Sequence, residues 1–157
     1  MVTAGWLKKT ELFGSLETSQ LEDILSHSTV VSFPEGKTIF HQGDEAMFLY
    51  LLIEGCVELT AQGGERTDLM TTRIEREGLT FGMPSLIEPY RYNVTATTTK
   101  ASTILVIDVR YLRQRFEQDP KMGIAILKKL AFVYFERLNR MRSGVSSLLK
   151  MLKEKTR

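Results

Sequence analysis

A mainly β fold with a short N-terminal helix and long C-terminal helices is predicted by three features of this 157-residue sequence. Turn residues recur at short intervals: Pro34-Glu35-Gly36, Gly43-Asp44, Glu54-Gly55, Gly63-Gly64, Glu77-Gly78, Gly82, Pro84 and Pro89. The runs between them are short and rich in apolar, β-branched and aromatic residues. After Asp108 the apolar spacing becomes helical and stays so to about Lys155. Strands and turns this close together indicate a sandwich, jelly roll or barrel rather than alternating strand–helix units.

The elements follow in order. Residues 19–27 read as a short helix capped by Thr18 or Ser19, with acids in its first turn. Strands are expected at 29–33, 38–41, 48–53, 57–61, 69–76, 93–99 and 103–108, with Gly63-Gly64 as an exposed hairpin tip. Residues 109–118 form a polar-faced helix, and Asp119-Pro120 opens another with proline at its first position. Within that last helix Ala131, Tyr134, Leu138, Met141, Val145, Leu148 and Leu152 recur at alternating steps of three and four. Such a stripe either packs back on the β body or meets a second helix. A helix of this length extends about 50 Å, further than a small β body is wide, so its distal half is expected to pair with a second copy.

Composition narrows the function. The 43% hydrophobic and 25% charged shares are those of an ordinary globular chain. A single cysteine, Cys56, excludes an internal disulfide and cysteine-held zinc or iron–sulfur centres, and two histidines are too few for a typical histidine metal site. No signal-peptide pattern or bilayer-spanning apolar run is present, which points to a cytoplasmic protein without membrane association. From Pro120 onward ten basic residues face two acidic ones, a net of +8 that leaves −6 for the rest of a +2 chain. An acidic body with a basic tail suits self-docking or an anionic partner. No Ser-His-Asp, Cys-His or paired-carboxylate spacing is recognisable, so no enzyme activity is expected. His41 reads as a surface strand residue, His27 as a helix-end residue, Cys56 as a packed thiol and Trp6 as an N-terminal anchor.

Gly36, Ile39, Phe40, Gly43, Asp44, Tyr50 and Gly55 stand in an order that resembles the first half of a cyclic-nucleotide-binding domain of the catabolite activator protein type (Crp/Fnr-like). The resemblance spans roughly residues 12–142 and implies a jelly-roll β-sandwich of about eight strands over 1–119, with a dimerisation helix over 120–157. It also implies a parallel homodimer seamed by the seven-residue stripe. The family's DNA-reading helix-turn-helix would begin where this sequence ends, so sequence-specific DNA binding is not expected.

In that family a Phe-Gly-Glu-x-Ala-Leu stretch opens the phosphate-binding cassette, and an Arg follows shortly before a strand. The matching stretch here gives a candidate pocket of Phe81, Gly82, Met83, Pro84, Ser85, Tyr90, Arg91, Tyr92 and Asn93. Met83 replaces the acid that would accept from the ribose hydroxyl. Counting back from Val94 puts the Arg position on Tyr90, with Arg91 one place later on the opposite strand face. Pro84 removes one N–H from the cradle. Each lost charge-assisted hydrogen bond costs about 1.5–3 kcal/mol, so cAMP and cGMP are expected to bind at roughly 0.1 mM or weaker. A larger apolar ligand beside Met83, Tyr90 and Tyr92, or a filled pocket, are the alternatives. The chain therefore reads as a small-molecule-sensing regulatory module needing no cofactor. The effector half of a Crp-like transcription regulator and a ligand-free dimeric adaptor acting on another regulatory protein are the competing readings.

Overall fold

The computed structural model describes residues 2–61 and 71–156. The expected Gly63-Gly64 hairpin tip and the start of the strand expected at 69–76 lie outside the described residues. Eight strands make two four-stranded antiparallel sheets: β1 (Ser28–Phe33), β2 (Thr38–Phe40), β3 (Phe48–Glu54), β4 (Val57–Thr60), β5 (Thr71–Ile74), β6 (Thr80–Phe81), β7 (Thr95–Thr98) and β8 (Ser102–Asp108). One sheet has the order β1-β8-β3-β6, the other β2-β7-β4-β5. Consecutive strands fall in different sheets at several points, which is the jelly-roll crossover pattern. Helices α1 (Ala4–Lys8) and α2 (Thr18–Ser26) precede the strands, and α3 (Val109–Gln118) and α4 (Pro120–Lys155) follow them.

The near-continuous apolar run of β3 has a direct cause. Leu49 and Leu51 face the helices while Tyr50 and Leu52 face the opposite sheet, so both sides of the strand are buried. β8 divides in the same way, with Leu105 and Ile107 toward the helices and Ile104 into the sandwich. Two hydrophobic clusters result. One lies between the sheets around Phe40, Tyr50, Phe81 and Tyr92; the other joins the β3–β8 sheet to all four helices. Trp6 packs against the second cluster, and its Nε1 donates to Glu77 at 2.6 Å.

The cap of α2 differs from the sequence expectation. It is Glu17, whose N–H donates to Gln20 Oε1 at 2.9 Å, so a capping box closes one residue before Thr18. The two-residue strand β6 was not expected at all. It exists because Phe81 and Thr80 pair with Tyr50 and Leu51 of β3, a long-range contact with no local signature.

The α3–α4 corner follows the local chemistry. Asp119 caps α4 by accepting from the Met122 N–H at 3.2 Å, and Pro120 occupies the first turn. The proximal turns of α4 bury Met122, Gly123, Ile126, Leu130 and Val133 against the body. The expected seven-residue stripe lies on another face. Tyr134 is half-buried, whereas Ala131, Leu138, Met141, Val145, Leu148 and Leu152 are exposed. The residue 119/120 boundary runs through one continuous hydrophobic cluster, which contains Val109 and Leu112 of α3 as well as Met122 and Ile126 of α4.

Candidate functional site

A cavity of about 620 Å³ opens between the β sandwich and α4. Gly82, Met83, Pro84, Tyr92 and Asn93 line it from the candidate set, together with Phe40, Leu59 and Val94. Thr71, Thr72 and Arg73 add a side, and Tyr134, Arg137, Leu138, Arg140, Met141 and Gly144 form the helical wall.

The cassette begins at Gly82, which follows β6 with φ of 76°. A Cβ there would lie 2.9 Å from the Tyr50 ring, so both the left-handed backbone and the close approach require glycine. A 3-10 turn at Met83–Leu86 follows. Its capacity to cradle an anion is reduced, because Pro84 has no N–H and the Ser85 N–H donates to the Gly82 carbonyl at 3.1 Å. Met83 is 2% exposed and belongs to the helix-side core, so the position of the family's acid is filled by an apolar plug.

Phe81, Ser85, Tyr90 and Arg91 do not line the cavity. Phe81 turns into the inter-sheet core and stacks on Tyr50 at 5.1 Å. Ser85 is fully buried, and its Oγ has no partner among the described residues. Tyr90 adopts φ of 58°, pinned by Tyr90 N–H to Ile87 carbonyl and Ala46 N–H to Tyr90 carbonyl bonds of 2.8 Å each. That conformation lays its ring under the Arg113 guanidinium, 3.6 Å from the ring centroid. Arg113 in turn donates to the Ser85 carbonyl at 2.6 and 2.9 Å and to the Ala46 carbonyl at 2.8 Å, stapling the cassette to α3. Arg91 sits exposed at a β-bridge to Glu45 and reaches the Gly43 carbonyl at 3.4 Å.

Tyr92 is built into the floor. Its ring stacks on Phe40 at 3.7 Å, and its hydroxyl donates to the Phe48 carbonyl at 2.7 Å. Burial pushes the phenols of Tyr92 and Tyr50 up, so both stay neutral at physiological pH.

The helical wall carries two of the three guanidinium groups that line the cavity, and Arg73 of β5 carries the third. Arg137 donates to the Thr80 carbonyl at 2.7 Å and stands 3.9 Å from Glu11, which itself accepts from the Thr80 N–H at 2.9 Å. Burial pulls the Arg137 guanidinium below its ordinary range; Glu11 raises it and neighbouring Arg140 lowers it further. Arg73 pairs with Glu58 at 3.4 Å. Arg140 has neither a hydrogen bond nor an ion pair among the described residues.

Sequence reasoning missed this wall and treated Arg137 and Arg140 only as charges flanking the stripe. A signal was present. Met122, Ile126, Leu130, Val133, Arg137, Arg140 and Gly144 recur at steps of three and four, a single helical ridge. The ridge is apolar where it docks and becomes guanidinium and glycine where it crosses the cavity. Among the described residues no cluster of three or more His, Cys, Asp or Glu could hold a metal ion, and no helix is long and apolar enough to cross a membrane.

The family profile of the cyclic nucleotide-binding domain matches residues 30–119. The chain is 24% identical over 143 residues to a CRP-like cAMP-activated global transcriptional regulator of Mycobacterium tuberculosis, covering 91% of this chain and 62% of that protein. It is 30% identical over 103 residues to a cyclic AMP receptor protein of Thermus thermophilus, covering 64% and 46% respectively. The chain thus spans less than two thirds of the length of these curated relatives. Among solved structures, a candidate cyclic nucleotide-binding protein from Geobacter metallireducens superposes with a TM-score of 0.77 at 33% identity, covering 88% of this chain and 99% of that one. The Thermus thermophilus catabolite activator protein superposes with a TM-score of 0.67 at 25% identity, covering 88% and 63%.

Proposed function

This chain belongs to the cyclic nucleotide-binding domain family, and from that premise we propose that it is a regulatory sensing module whose cavity takes a ligand other than a tightly held cyclic nucleotide. The observation that carries the reading is the composition of the cavity wall: β sandwich on one side, α4 on the other. A ligand bound there touches both and biases the setting of the helix, which is what a sensor requires.

Cyclic nucleotides are poorly served. Met83 offers no acceptor for a ribose hydroxyl, Tyr90 is turned onto Arg113, and Pro84 and Ser85 withhold cradle donors. Thermal-shift and calorimetric titration with cAMP and cGMP tests this directly. Dissociation constants of roughly 0.1 mM or weaker are expected; low-micromolar binding would sink the reading.

Output runs through a second copy. Ile124 and Leu127 extend the Leu138-Met141-Val145-Leu148-Leu152 stripe toward the N-terminus of α4, all of them exposed. Burying Leu138, Met141, Val145 and Leu148 from two chains contributes roughly 10 kcal/mol or more before ordering costs. Repulsion between flanking arginines opposes this by only a few tenths of a kcal/mol per exposed pair. A parallel homodimer across this face places both cavities beside the shared seam. A second reading, in which the chain is the sensing part of a longer transcription regulator, draws on the mycobacterial relative, 62% of whose length it matches.

A further inference from the structure

We propose that the cavity binds a small amphipathic organic anion with its charged end against α4, held by Arg140, and its apolar body against Leu59, Met83 and Tyr92. The proposal rests on the sensing role above and names the ligand class for that same cavity.

Three guanidinium groups, those of Arg73, Arg137 and Arg140, line the wall, and among the described residues no carboxylate does. Two of the three are engaged. Arg73 faces Glu58, and Arg137 is held by the Thr80 carbonyl and Glu11. Arg140 is left with a like charge beside it and no acceptor among the described residues. Arg140 is exposed, and a carboxylate, sulfonate or phosphate monoester entering the cavity meets it as an unpaired cation; a charge-assisted bond to guanidinium is the strong kind.

Apart from Thr71, Thr72 and Asn93, the rest of the wall selects against a fully polar ion. Phe40, Leu59, Met83, Pro84, Tyr92 and Val94 are apolar or aromatic, and a volume near 620 Å³ suits a ligand of drug-like size. The direction of binding follows from the contrast between walls. At the cassette the N–H donors are depleted, while on the helix the docking ridge turns cationic as it passes over the cavity. Gly144, one turn beyond Arg140, leaves room for a ligand where a side chain would intrude. Charge capture at Arg140 therefore draws α4 toward the body at the point where its contacts with the body end, coupling occupancy to helix position.

The test uses two dyes with the same ring system. 8-Anilinonaphthalene-1-sulfonate carries a sulfonate that N-phenyl-1-naphthylamine lacks. Fluorescence titration of the 157-residue chain should give one saturable site at least tenfold tighter for the sulfonate dye. Arg140→Gln should weaken that dye about tenfold and leave the neutral one unchanged, while Lys150→Gln, an exposed cation outside the cavity, should alter neither. Gly144→Leu, which narrows the cavity without touching the packed core, should weaken both. Equal affinity for the two dyes, or equal effects of Arg140→Gln and Lys150→Gln, would overturn the anion assignment. If Gly144→Leu still weakens both dyes in that case, the cavity receives ligands and the sensing role survives without the anion. If Gly144→Leu changes neither, the dyes sit elsewhere, and both the anion assignment and the sensing role fall.

Discussion

Two apolar ridges of α4, one in its proximal half and one in its distal half, have opposite surroundings. The proximal half buries Met122, Ile126, Leu130 and Val133 in the helix-side core. The distal half exposes Leu138, Met141, Val145, Leu148 and Leu152, each more than two fifths accessible. The difference is one of face. The buried ridge and the exposed stripe are both spaced at three and four but point in different directions around the helix. An apolar stripe therefore states that something covers it, not what covers it. Here the body covers the first ridge, and we assign the second to another copy.

The largest effect expected from breaking this contrast is on association. Leu138→Asp with Val145→Asp places four carboxylates in the proposed seam. Sedimentation should change from dimer to monomer at tens of micromolar, with the β signal in circular dichroism retained because neither side chain belongs to the core. A wild-type chain that is monomeric at that concentration breaks the comparison outright. Moderate salt should strengthen the wild-type dimer by screening the arginines along its flanks.

The proximal half should answer in stability instead. Ile126 is fully buried, so Ile126→Ala should cost about 2–5 kcal/mol through lost burial and a residual cavity. Chemical denaturation followed by circular dichroism measures it. The equivalent truncation at exposed Leu149 should cost far less in a dilute, monomeric sample.

The cavity lies where the halves meet, and Met83 tests whether its cassette wall is a degraded nucleotide site. Met83→Glu restores an acceptor and should tighten cAMP about tenfold or more, since a charge-assisted hydrogen bond contributes about 1.5–3 kcal/mol. The same change puts a carboxylate where the side chain is 2% exposed, so the ligand-free protein should melt at a lower temperature. Adding Tyr90→Arg should gain little, because position 90 is turned toward Arg113 and not into the cavity. Counting along the sequence put the family's Arg position on Tyr90. It located the position and not the left-handed backbone that re-aims it.

Legibility along the chain follows the range of the interactions responsible. The turn glycines among the described residues, the strand at β3, the α3 span and the Asp119-Pro120 start of α4 were readable because neighbouring residues determine them. Strand β6 was not, since it is defined by pairing with β3 some thirty residues earlier in the chain. The helical wall of the cavity was missed for a similar reason. Arg137 and Arg140 look like ordinary surface charges until the fold carries the docking ridge over the cassette. Five of the nine candidate pocket residues line the cavity, and the other four are turned away by core stacking, by burial beneath the Arg113 staple, by the backbone at Tyr90 and by the strand edge at Arg91.

The smallest effect expected sharpens the comparison by pH. Asp108 opens α3, the helix that leads into the docked half. Its carboxylate accepts from the Arg110 N–H at 3.0 Å and pairs with the Arg110 guanidinium at 2.8 Å. The hydrogen bond from the Arg110 side chain holds the Asp108 carboxyl below its ordinary range; burial opposes it, and the backbone bond and charge of Arg110 assist. Because the folded pKa is depressed, this stabilisation is fully present above the unfolded pKa, near 3.9, and is lost as pH falls through the folded value. Asp108→Asn keeps a capping oxygen but removes the charge, so it should cost at most about 1 kcal/mol at pH 7. Below the folded pKa the gap to wild type should close. Stability curves at neutral and strongly acidic pH measure both limits. A gap that persists in acid would show that Asp108 stabilises the corner through its hydrogen bonds alone and that its charge contributes nothing.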